Sequence, residues 1–202
     1  MTGTQIAMIV ASYVLGSVPT GYWLGKAWKG IDVRQHGSGN LGATNVYRVL
    51  GPKAALFTFT VDCLKGMVPV IVSQHLFPNT LLVPLLTGVA AILGHTTSVF
   101  VHFRGGKGMA TATGVFAALS PLPSLVAITV FITTLCITRY VSLGSILGAL
   151  TLVMSSFIFP TPRALLWTSI TMAAFVIWKH RANIERLYKG TENRMEWKKK
   201  AA

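Results

Sequence analysis

Residues 53–76, KAALFTFTVDCLKGMVPVIVSQHL, form an apolar run that is long enough to cross a lipid bilayer. The hydrocarbon core of a bilayer is ~30 Å thick, and an α-helix needs about 20 residues to span it. Formal charges within the run are confined to Lys53, Asp62 and Lys65. The stretch therefore predicts a transmembrane helix that carries two ionisable side chains, Asp62 and Lys65, in its interior.

The composition of the whole chain supports the same interpretation. Of its 202 residues, 52% are hydrophobic and only 11% are charged. A soluble domain of this size could not cover its surface with so few polar side chains. The sequence therefore predicts an integral membrane protein.

Other apolar runs predict the number of membrane spans. Runs of sufficient length also lie near residues 4–26, 80–101, 122–140, 143–160 and 163–179. A shorter run at 108–119 could be a re-entrant segment when it is considered alone. Counting it as a short or partly buried span predicts an all-α membrane protein with a bundle of seven transmembrane helices.

The basic residues predict the orientation of these helices. With seven spans and the N-terminus outside, the Lys and Arg residues fall on one side, except Arg163 in an outer loop and Lys65 inside a span. The positive-inside rule makes that side cytoplasmic, together with the C-terminus. A six-span chain would place the two middle basic loops or the basic tail on the wrong side. We expect a single polytopic membrane domain over residues 1–202, with cytoplasmic active-site loops near 27–52, 102–107 and 179–194.

The stretch at 34–48, RQHGSGNLGATNVYR, contains three glycines at the G-x-G-x-x-G spacing of a dinucleotide-binding site. That site requires a buried strand before the glycines and an acidic residue about 20 positions further on. The residues before Gly37 are IDVRQH, and Asp62, which is near the required distance, lies inside the apolar run. The spacing therefore does not indicate a dinucleotide site.

Three cytoplasmic loops precede helices that would enter the membrane from the cytoplasm. Their sequences are HGSGNLGATNVYR before the second span, FRGGKG before the fourth and RYVSLGS before the sixth. The N–H groups and dipole of a helix N-terminus attract anions, and glycine lets the backbone approach phosphate oxygens closely. One glycine-rich turn is often only a turn, but two such turns, each with a Lys or Arg, favour an anion site.

The anion site suits a small phosphate ester better than a nucleoside triphosphate. The GGKG loop lacks the Walker A spacing, and Gly108 stands where a Ser or Thr would hold magnesium. Arg48 would contact phosphate as a planar fork and Lys107 as a point charge. The candidate phosphate-binding residues are Gly37, Gly39, Asn45, Arg48, Gly105, Gly106, Lys107, Ser142 and Ser145.

The last span ends in KHRANIERLYKGTENR, where His180 and Asn183 lie one helical turn apart at the membrane edge. A structural histidine and a functional one both fit this spacing. A basic stop-transfer anchor explains most of the charge in the segment, with Glu185 and Glu192 pairing on the surface.

Asp62 and Lys65 lie three residues apart inside the second span, where ionisable groups are costly and are usually paired or functional. A mutual ion pair is the simplest explanation for their spacing. We expect the pair to brace the anion site from behind.

Several classes of ligand are not expected. The histidines and cysteines show no metal-ligand spacing, so neither a metal site nor a cofactor is expected. The net charge of +13 is explained by membrane topology and by contact with anionic lipid headgroups, so nucleic acid is not expected as a partner. No obligate protein partner is evident.

Taken in order, HGSGNLGATNVYR, GHTTSVFVHFRGGKGMAT and HRANIERLYKGTE resemble the motifs of the acyl-phosphate glycerol-3-phosphate acyltransferase family, the PlsY type. The resemblance extends from GSVPTGY in the first span to GTENR in the tail. It implies an enzyme of the bacterial inner membrane that moves a fatty acyl group from acyl phosphate to the 1-hydroxyl of glycerol 3-phosphate. The product would be lysophosphatidate for phospholipid biosynthesis, and neither coenzyme A nor a carrier protein would be the direct donor.

The resemblance also implies active-site roles for particular residues. Ser38, His180 and Asn183 correspond to catalytic positions, and Arg48 and Lys107 to positions that bind substrate phosphate. Ser38 and the glycine N–H groups would hold the second phosphate, or the carbonyl oxygen as it becomes negative. Acyl phosphate is an activated mixed anhydride, so we expect direct transfer without an acyl-enzyme.

Two residues depart from the pattern of the family. Ser98 stands where a proline is common, and we expect this change to affect the approach to the GGKG loop but not the activity. Arg104 stands where a lysine is common, and this change keeps the positive charge.

Two further functions fit parts of the sequence. A transporter or flippase for a phosphorylated metabolite would also use basic helix ends and intramembrane charge, but it predicts inverted repeats, which are not evident here. A lipid-binding scaffold would not need His180 or two glycine loops. For the acyltransferase, either His180 or the substrate phosphate could be the general base, and we favour the phosphate.

Overall fold

The computed structural model describes residues 1–196, in which the regular structure is entirely helical. Short 3-10 turns, Val33–Gln35 and Val99–Val101, lie in the loops before α3 and α6. The predicted all-α fold is confirmed for these residues, whereas the basic residues at 198–200 lie outside them. The α-helices are α1 (Gly3–Gly16), α2 (Thr20–Lys29), α3 (Ala43–Leu50), α4 (Pro52–Leu76), α5 (Leu82–Thr96), α6 (Met109–Leu119), α7 (Pro121–Thr138), α8 (Val141–Ile158), α9 (Arg163–Lys179) and α10 (Arg181–Tyr188).

A helix forms at every apolar run found in the sequence. Within residues 1–196, five helical segments are long and apolar enough to cross a membrane: Gly3–Lys29, Pro52–Leu76, Leu82–Val101, Pro121–Thr138 and Val141–Ile158. α6 is apolar but has only 11 residues, about 16 Å at 1.5 Å per residue. α9 has 17 residues. The count of seven spans and the orientation of the termini remain predictions.

The chain divides into two compact units, residues 1–121 and the part from Leu122 onward. In the first unit, α4 packs along α5 and α6, and α1 packs along α5. In the second unit, α8 packs against α9, and the short α10 contacts both of these helices.

The first apolar run forms one candidate span, Gly3–Lys29, but its helix is interrupted. α1 ends at Gly16 and α2 begins at Thr20, after Pro19, which has no backbone N–H to continue the helix. Carbonyl groups freed by the break are satisfied from other helices and loops. The Ser98 hydroxyl donates to the Ser17 carbonyl, and Lys65 Nζ donates to the Val18 carbonyl at 2.7 Å. Irregular backbone is tolerated in a membrane segment when protein groups bury it in this way.

The helices of the first unit approach one another closely at glycines. A Cβ atom at Gly114 of α6 would overlap with the Cys63 carbonyl of α4, and one at Gly94 of α5 would overlap with the Tyr13 carbonyl of α1. Such small residues replace the hydrophobic effect, which is absent between helices in lipid, by tight van der Waals packing. The close packing holds α4, α5 and α6 in the positions from which the loops of the candidate site emerge.

Candidate active site

The first glycine-rich loop begins at an anchor formed by Asp32 and Arg34. The Asp32 carboxylate accepts hydrogen bonds from the Arg34 backbone N–H at 3.0 Å and from its guanidinium, whose Nη2 lies 2.7 Å from Oδ2. The guanidinium also lies over the Tyr22 ring, 4.7 Å from its centroid. The Arg34 hydrogen bond holds the pKa of Asp32 below its ordinary value against the opposite effect of burial. The charged anchor therefore fixes the start of the loop.

The loop then turns at two glycines with left-handed backbone conformations. The φ angle is +61° at Gly37 and +70° at Gly39, a region that side chains with a Cβ atom adopt only at a cost. A Cβ atom at Gly37 would also overlap with Oδ1 of Asn45. Ser38 lies between these two glycines and is exposed. The local backbone therefore presents Ser38 at the surface of the loop.

Asn45 is buried, and its side chain holds the loop through hydrogen bonds to the loop backbone. Its Oδ1 accepts a hydrogen bond from the Ser38 backbone N–H at 2.7 Å. Its Nδ2 donates to the carbonyl groups of Val33, at 2.8 Å, and His36, at 3.1 Å. The amide of Asn45 is thus occupied by the backbone of the loop that carries Ser38.

Arg48 follows Asn45 by one turn on α3 and is half-buried. α3 begins directly after the loop, with Gly42 as its N-cap. The first N–H groups of a helix have no partner within the helix and carry the positive end of its dipole. The first loop therefore joins glycine backbone to a helix N-terminus, two features that attract a phosphate group. Arg48 lies in the last turn of the same short helix.

The second loop, residues 104–108, packs against His95 at the end of α5. A Cβ atom at Gly105 would overlap with the His95 carbonyl, and one at Gly106 would overlap with its Nε2. The Gly106 backbone N–H also donates to the His95 carbonyl at 3.1 Å. The two glycines are therefore required by packing against α5, a role that the sequence alone did not indicate.

Lys107 lies at the entrance to α6. It is half-buried and directly precedes Gly108, the N-cap of that helix, which has a φ angle of +83°. Arg104, at the other end of the loop, is exposed. The second loop thus places positive side chains beside a helix N-terminus.

His180 lies at the junction of α9 and α10 and is buried. Its Nδ1 is 2.8 Å from the Val176 carbonyl oxygen. Because a carbonyl group only accepts hydrogen bonds, Nδ1 carries the hydrogen, and Nε2 is the ring nitrogen that can accept a proton. The contact therefore fixes both the tautomer and the orientation of the imidazole.

Glu192 is the functional-site candidate that sequence reasoning missed. It was expected to pair on the surface, but its side chain is buried and accepts hydrogen bonds from Ser142 Oγ at 2.7 Å, Asn183 Nδ2 at 2.6 Å and Arg186 Nε at 2.6 Å. Burial would raise the pKa of Glu192, but these three hydrogen bonds and the Arg186 charge hold it below its ordinary value. The carboxylate is therefore ionised at neutral pH and organises its donors.

Two details explain why Glu192 differs from the neighbouring acid. Gly190 has a φ angle of +67°, which ends α10 and turns the chain back toward α8. Glu185, by contrast, stays on the exposed face of α10 and pairs with Lys189 at 2.6 Å, as the sequence predicts. Gly190 is the signal that could have shown that α10 ends before Glu192, so that this carboxylate does not share the exposed face of the helix with Glu185.

The hydroxyl groups of the α8 candidates are engaged within the second unit. Ser142 donates to Glu192, and Ser145 donates to the Val141 carbonyl at 2.9 Å. Both serines are buried. Ser142 therefore belongs to the Glu192 cluster, whereas Ser145 bonds within its own helix.

The candidate residues fall into two sets, one in each unit. The second set is connected internally, since Glu192 joins Ser142 to Asn183 and the Asn183 backbone N–H donates to the His180 carbonyl at 2.8 Å. Among residues 1–196, no three His, Cys, Asp or Glu side chains are grouped so that they could hold a metal ion. The first set consists of Gly37, Ser38, Gly39, Asn45, Arg48, Gly105, Gly106 and Lys107.

Comparison with known sequences identifies the family. Residues 6–190 match the family model described as glycerol-3-phosphate acyltransferase. The chain is 48% identical over 190 residues to a glycerol-3-phosphate acyltransferase of Geotalea daltonii, and the alignment covers 94% of this chain and 97% of the relative. It is 46% identical over 195 residues to a glycerol-3-phosphate acyltransferase of Geobacter sulfurreducens, and that alignment covers 95% of this chain and 98% of the relative.

Comparison with solved structures gives the same result for the fold. The chain is similar to two crystal structures of PlsY, an integral membrane glycerol 3-phosphate acyltransferase. Each superposition covers 96% of this chain and 96% of the solved one. The glycerol 3-phosphate form matches with a TM-score of 0.92 at 40% identity, and the lysophosphatidic acid form with 0.89 at 39%. This chain therefore belongs to the glycerol-3-phosphate acyltransferase family and is a multi-pass membrane acyltransferase of phospholipid biosynthesis.

Proposed function

We propose that this enzyme uses acyl phosphate as its acyl donor and acylates the 1-hydroxyl of glycerol 3-phosphate. Both substrates then carry a phosphate group, and the donor also carries a long acyl chain. The observation that supports this most directly is the pair of glycine loops in the first unit, each of which leads into a helix N-terminus, with Lys107 beside the second N-terminus and Arg48 in the last turn of the helix that follows the first loop. The site would face the cytoplasm of a bacterial inner membrane, with seven spans and the N-terminus outside.

Phosphate binding is assigned to the two loops of the first unit. Arg48 would contact phosphate oxygens as a planar fork and Lys107 as a point charge. The backbone N–H groups of Gly37 and Gly105 would add donors near a helix N-terminus. Gly39 and Gly106 would act by shaping the loops, since their N–H groups donate to the carbonyl groups of His36 and His95. Asn45 would act by holding the first loop in shape, because its amide is occupied by loop backbone.

Ser38 is assigned to the reacting centre. It is exposed between two left-handed glycines, so its hydroxyl can approach a substrate oxygen. We assign it to hold either the second phosphate or the carbonyl oxygen as that oxygen becomes negative.

The second unit would orient glycerol 3-phosphate. His180 and Asn183 would hold it by hydrogen bonds, with the imidazole oriented by the Val176 carbonyl and the Asn183 amide by Glu192. Ser142 and Ser145, the other predicted phosphate-binding residues, lie near the start of α8 in the same unit, where Ser142 donates to Glu192. The hydrogen bonds that these residues already make would limit the reorganisation needed when substrate binds.

The chemical step would be a direct acyl transfer. The 1-hydroxyl oxygen of glycerol 3-phosphate attacks the carbonyl carbon of acyl phosphate, the bond from that carbon to the phosphate oxygen breaks, and inorganic phosphate leaves. The hydroxyl proton passes to the phosphate of glycerol 3-phosphate, whose second pKa is about 6 by analogy with phosphorylated side chains. Since the mixed anhydride is already activated, the scheme requires neither an acyl-enzyme nor a cofactor.

Thin-layer chromatography tests the proposed donor. Purified enzyme would be incubated with radiolabelled glycerol 3-phosphate and, in separate reactions, acyl phosphate, acyl coenzyme A or acylated carrier protein. We expect lysophosphatidate with acyl phosphate and a strong reduction in the Lys107→Ala variant. Product formed only with coenzyme A or carrier protein would refute the acyl-phosphate donor, and movement of label across vesicles without product would indicate a transporter.

A further inference from the structure

The interior of the first unit contains a charged pair that the proposed mechanism does not use. Asp62 and Lys65 lie in α4, where their side chains are each 3% exposed, and Lys65 Nζ is 2.8 Å from Asp62 Oδ1. The Thr20 hydroxyl donates to the same oxygen at 2.9 Å. This geometry confirms the ion pair that the sequence predicts.

Lys65 connects the pair to the interruption of the first apolar run. Its Nζ donates to the Val18 carbonyl at 2.7 Å, and Thr20, which donates to Asp62, is the first residue of α2. The charged pair therefore holds the break itself, at Val18, and the first residue of α2. If these two side chains only filled space, they would not need charges. A protein with a well-packed apolar pair of similar volume is often as stable as one with a buried ion pair, or more stable.

His95 connects the pair to the second glycine loop. Its buried Nδ1 lies 3.9 Å from Asp62 Oδ2. On the other side of the ring, Nε2 lies against Gly106, since a Cβ atom there would overlap with it. The His95 carbonyl also accepts the Gly106 N–H at 3.1 Å. The imidazole is thus placed between the intramembrane carboxylate and the backbone that precedes Lys107.

We propose that Asp62, Lys65 and His95 are positioning residues that set the backbone of the Gly105–Gly106 loop, and thereby Lys107, for binding the phosphate of glycerol 3-phosphate. This inference rests on the proposed function of the loop. The loop has no side-chain bulk at its two glycines, so the surface of the His95 ring determines how far its backbone can recede. The charged pair determines in turn where the ring lies.

The first test replaces the ring. His95→Phe keeps a planar ring but has no nitrogen, whereas His95→Asn keeps a nitrogen near the position of Nδ1. We expect His95→Phe to raise the KM for glycerol 3-phosphate by tenfold or more, since a displacement of about 1 Å can cost about a hundredfold. The KM for acyl phosphate should change much less. His95→Asn lacks the ring surface that contacts Gly106, so it should show a similar selective rise. Ser12→Ala removes a buried hydrogen bond to the Thr87 carbonyl in the same unit and is the matched control.

The second test neutralises the pair without leaving an unpaired charge. The double variant Asp62→Asn/Lys65→Met should remain folded, as judged by its thermal unfolding, but should show the same selective rise in the KM for glycerol 3-phosphate. A folded double variant with unchanged KM values, or a His95→Phe enzyme with both KM values altered equally, would overturn the inference.

Lys107→Ala separates this inference from the proposed function. If Lys107→Ala leaves the KM values for both substrates unchanged, the assignment of the loop to phosphate is wrong, and this inference fails with it. If it raises only the KM for acyl phosphate, the loop still binds phosphate and this inference alone fails. If Lys107→Ala raises the KM for glycerol 3-phosphate while the His95 and double variants do not, only the positioning role is wrong.

Discussion

The Asn183 side chain donates a hydrogen bond of 2.6 Å to the buried carboxylate of Glu192, nine residues further along the chain. The same carboxylate oxygen accepts the Ser142 hydroxyl from α8. Glu192 therefore ties α10 and the start of the tail to α8, and it fixes the amide that we assign to substrate orientation. Hydrogen bonds to a charged group contribute more than those between neutral groups.

Replacement of this carboxylate should damage both structure and catalysis. Glu192→Gln removes the charge opposite Arg186 and introduces an NH₂ group where donors converge. We expect a loss of about 1.5–3 kcal/mol in the free energy of unfolding, the range for a hydrogen bond to a charged group, together with a lower kcat. Thermal unfolding in detergent and steady-state kinetics would measure the two effects. Glu185→Gln is the control, because its exposed pair with Lys189 should contribute about 0–1 kcal/mol. Equal effects of the two substitutions would contradict the bracing role.

The stability of the enzyme should depend on pH through Glu192. Its pKa in the folded protein lies below the ordinary value of 4.5 because three donors hydrogen-bond the ionised form. Its contribution is therefore fully present above that ordinary value and is lost as the pH falls through the lower, folded pKa. The difference in melting temperature between wild type and Glu192→Gln should be constant near neutral pH and should shrink at acidic pH. A difference that widens as the pH falls would contradict the assignment.

The helical architecture could be predicted because lipid imposes a simple rule. A segment in the hydrocarbon core must satisfy its backbone internally, so apolar runs of sufficient length become helices. The interruption between Gly16 and Thr20 was not predicted, although Pro19 marks it. Its stability depends on Lys65 and Ser98, which are distant in sequence and only meet the break in the folded chain.

The loops of the candidate site could be predicted from the sequence, but the residues that hold those loops in place could not. Glycine spacing and nearby cations identify the loops, since these features are local in sequence. The role of Asn45 in holding Ser38, and that of His95 behind the second loop, depend on contacts across turns and helices. Glu192 was misplaced on the surface because its burial depends on the return of the chain after Gly190.

The two cations of the loops should be essential for efficient catalysis. Arg48→Ala and Lys107→Ala each remove a charge-assisted contact of about 1.5–3 kcal/mol, so each should lower kcat/KM by more than tenfold. Kinetics with varied glycerol 3-phosphate and varied acyl phosphate would show which substrate each cation contacts. Lys53→Ala removes an exposed positive charge at the start of α4 and controls for net charge. Wild-type kinetics in folded Arg48→Ala and Lys107→Ala enzymes would exclude the phosphate clamp.

Thiol labelling tests the predicted membrane topology. In a variant without Cys63 and Cys136, a cysteine at Asn79 or Pro121 should react with an impermeant reagent added outside intact cells. A cysteine at Gln35 should react only after the cells are opened, because the basic loops are predicted to face the cytoplasm. Labelling of Gln35→Cys from outside would reverse the orientation and move the proposed site to the other side of the membrane.

The identity of the general base can be resolved at His180, whose Nδ1 donates to the Val176 carbonyl and whose Nε2 is the nitrogen that can accept a proton. His180→Gln can place an amide near Nε2 that forms a hydrogen bond but cannot take up a proton. If the substrate phosphate is the base, His180→Gln should retain at least about tenfold more activity than His180→Ala, the value of one hydrogen bond.

His75 offers a matched control for these variants, because its Nδ1 makes the same type of contact, 2.9 Å from the carbonyl four residues earlier, on an exposed part of α4. His75→Gln and His75→Ala should both retain wild-type kinetics, which separates the loss of a helix-capping contact from the loss of a substrate contact. Equal inactivity of His180→Gln and His180→Ala, with glycerol 3-phosphate still bound, would make His180 the base. Conversely, if His180→Gln is active and the acidic limb of its kcat profile still falls near pH 6, about the second pKa of a phosphate monoester, the proton passes to the substrate.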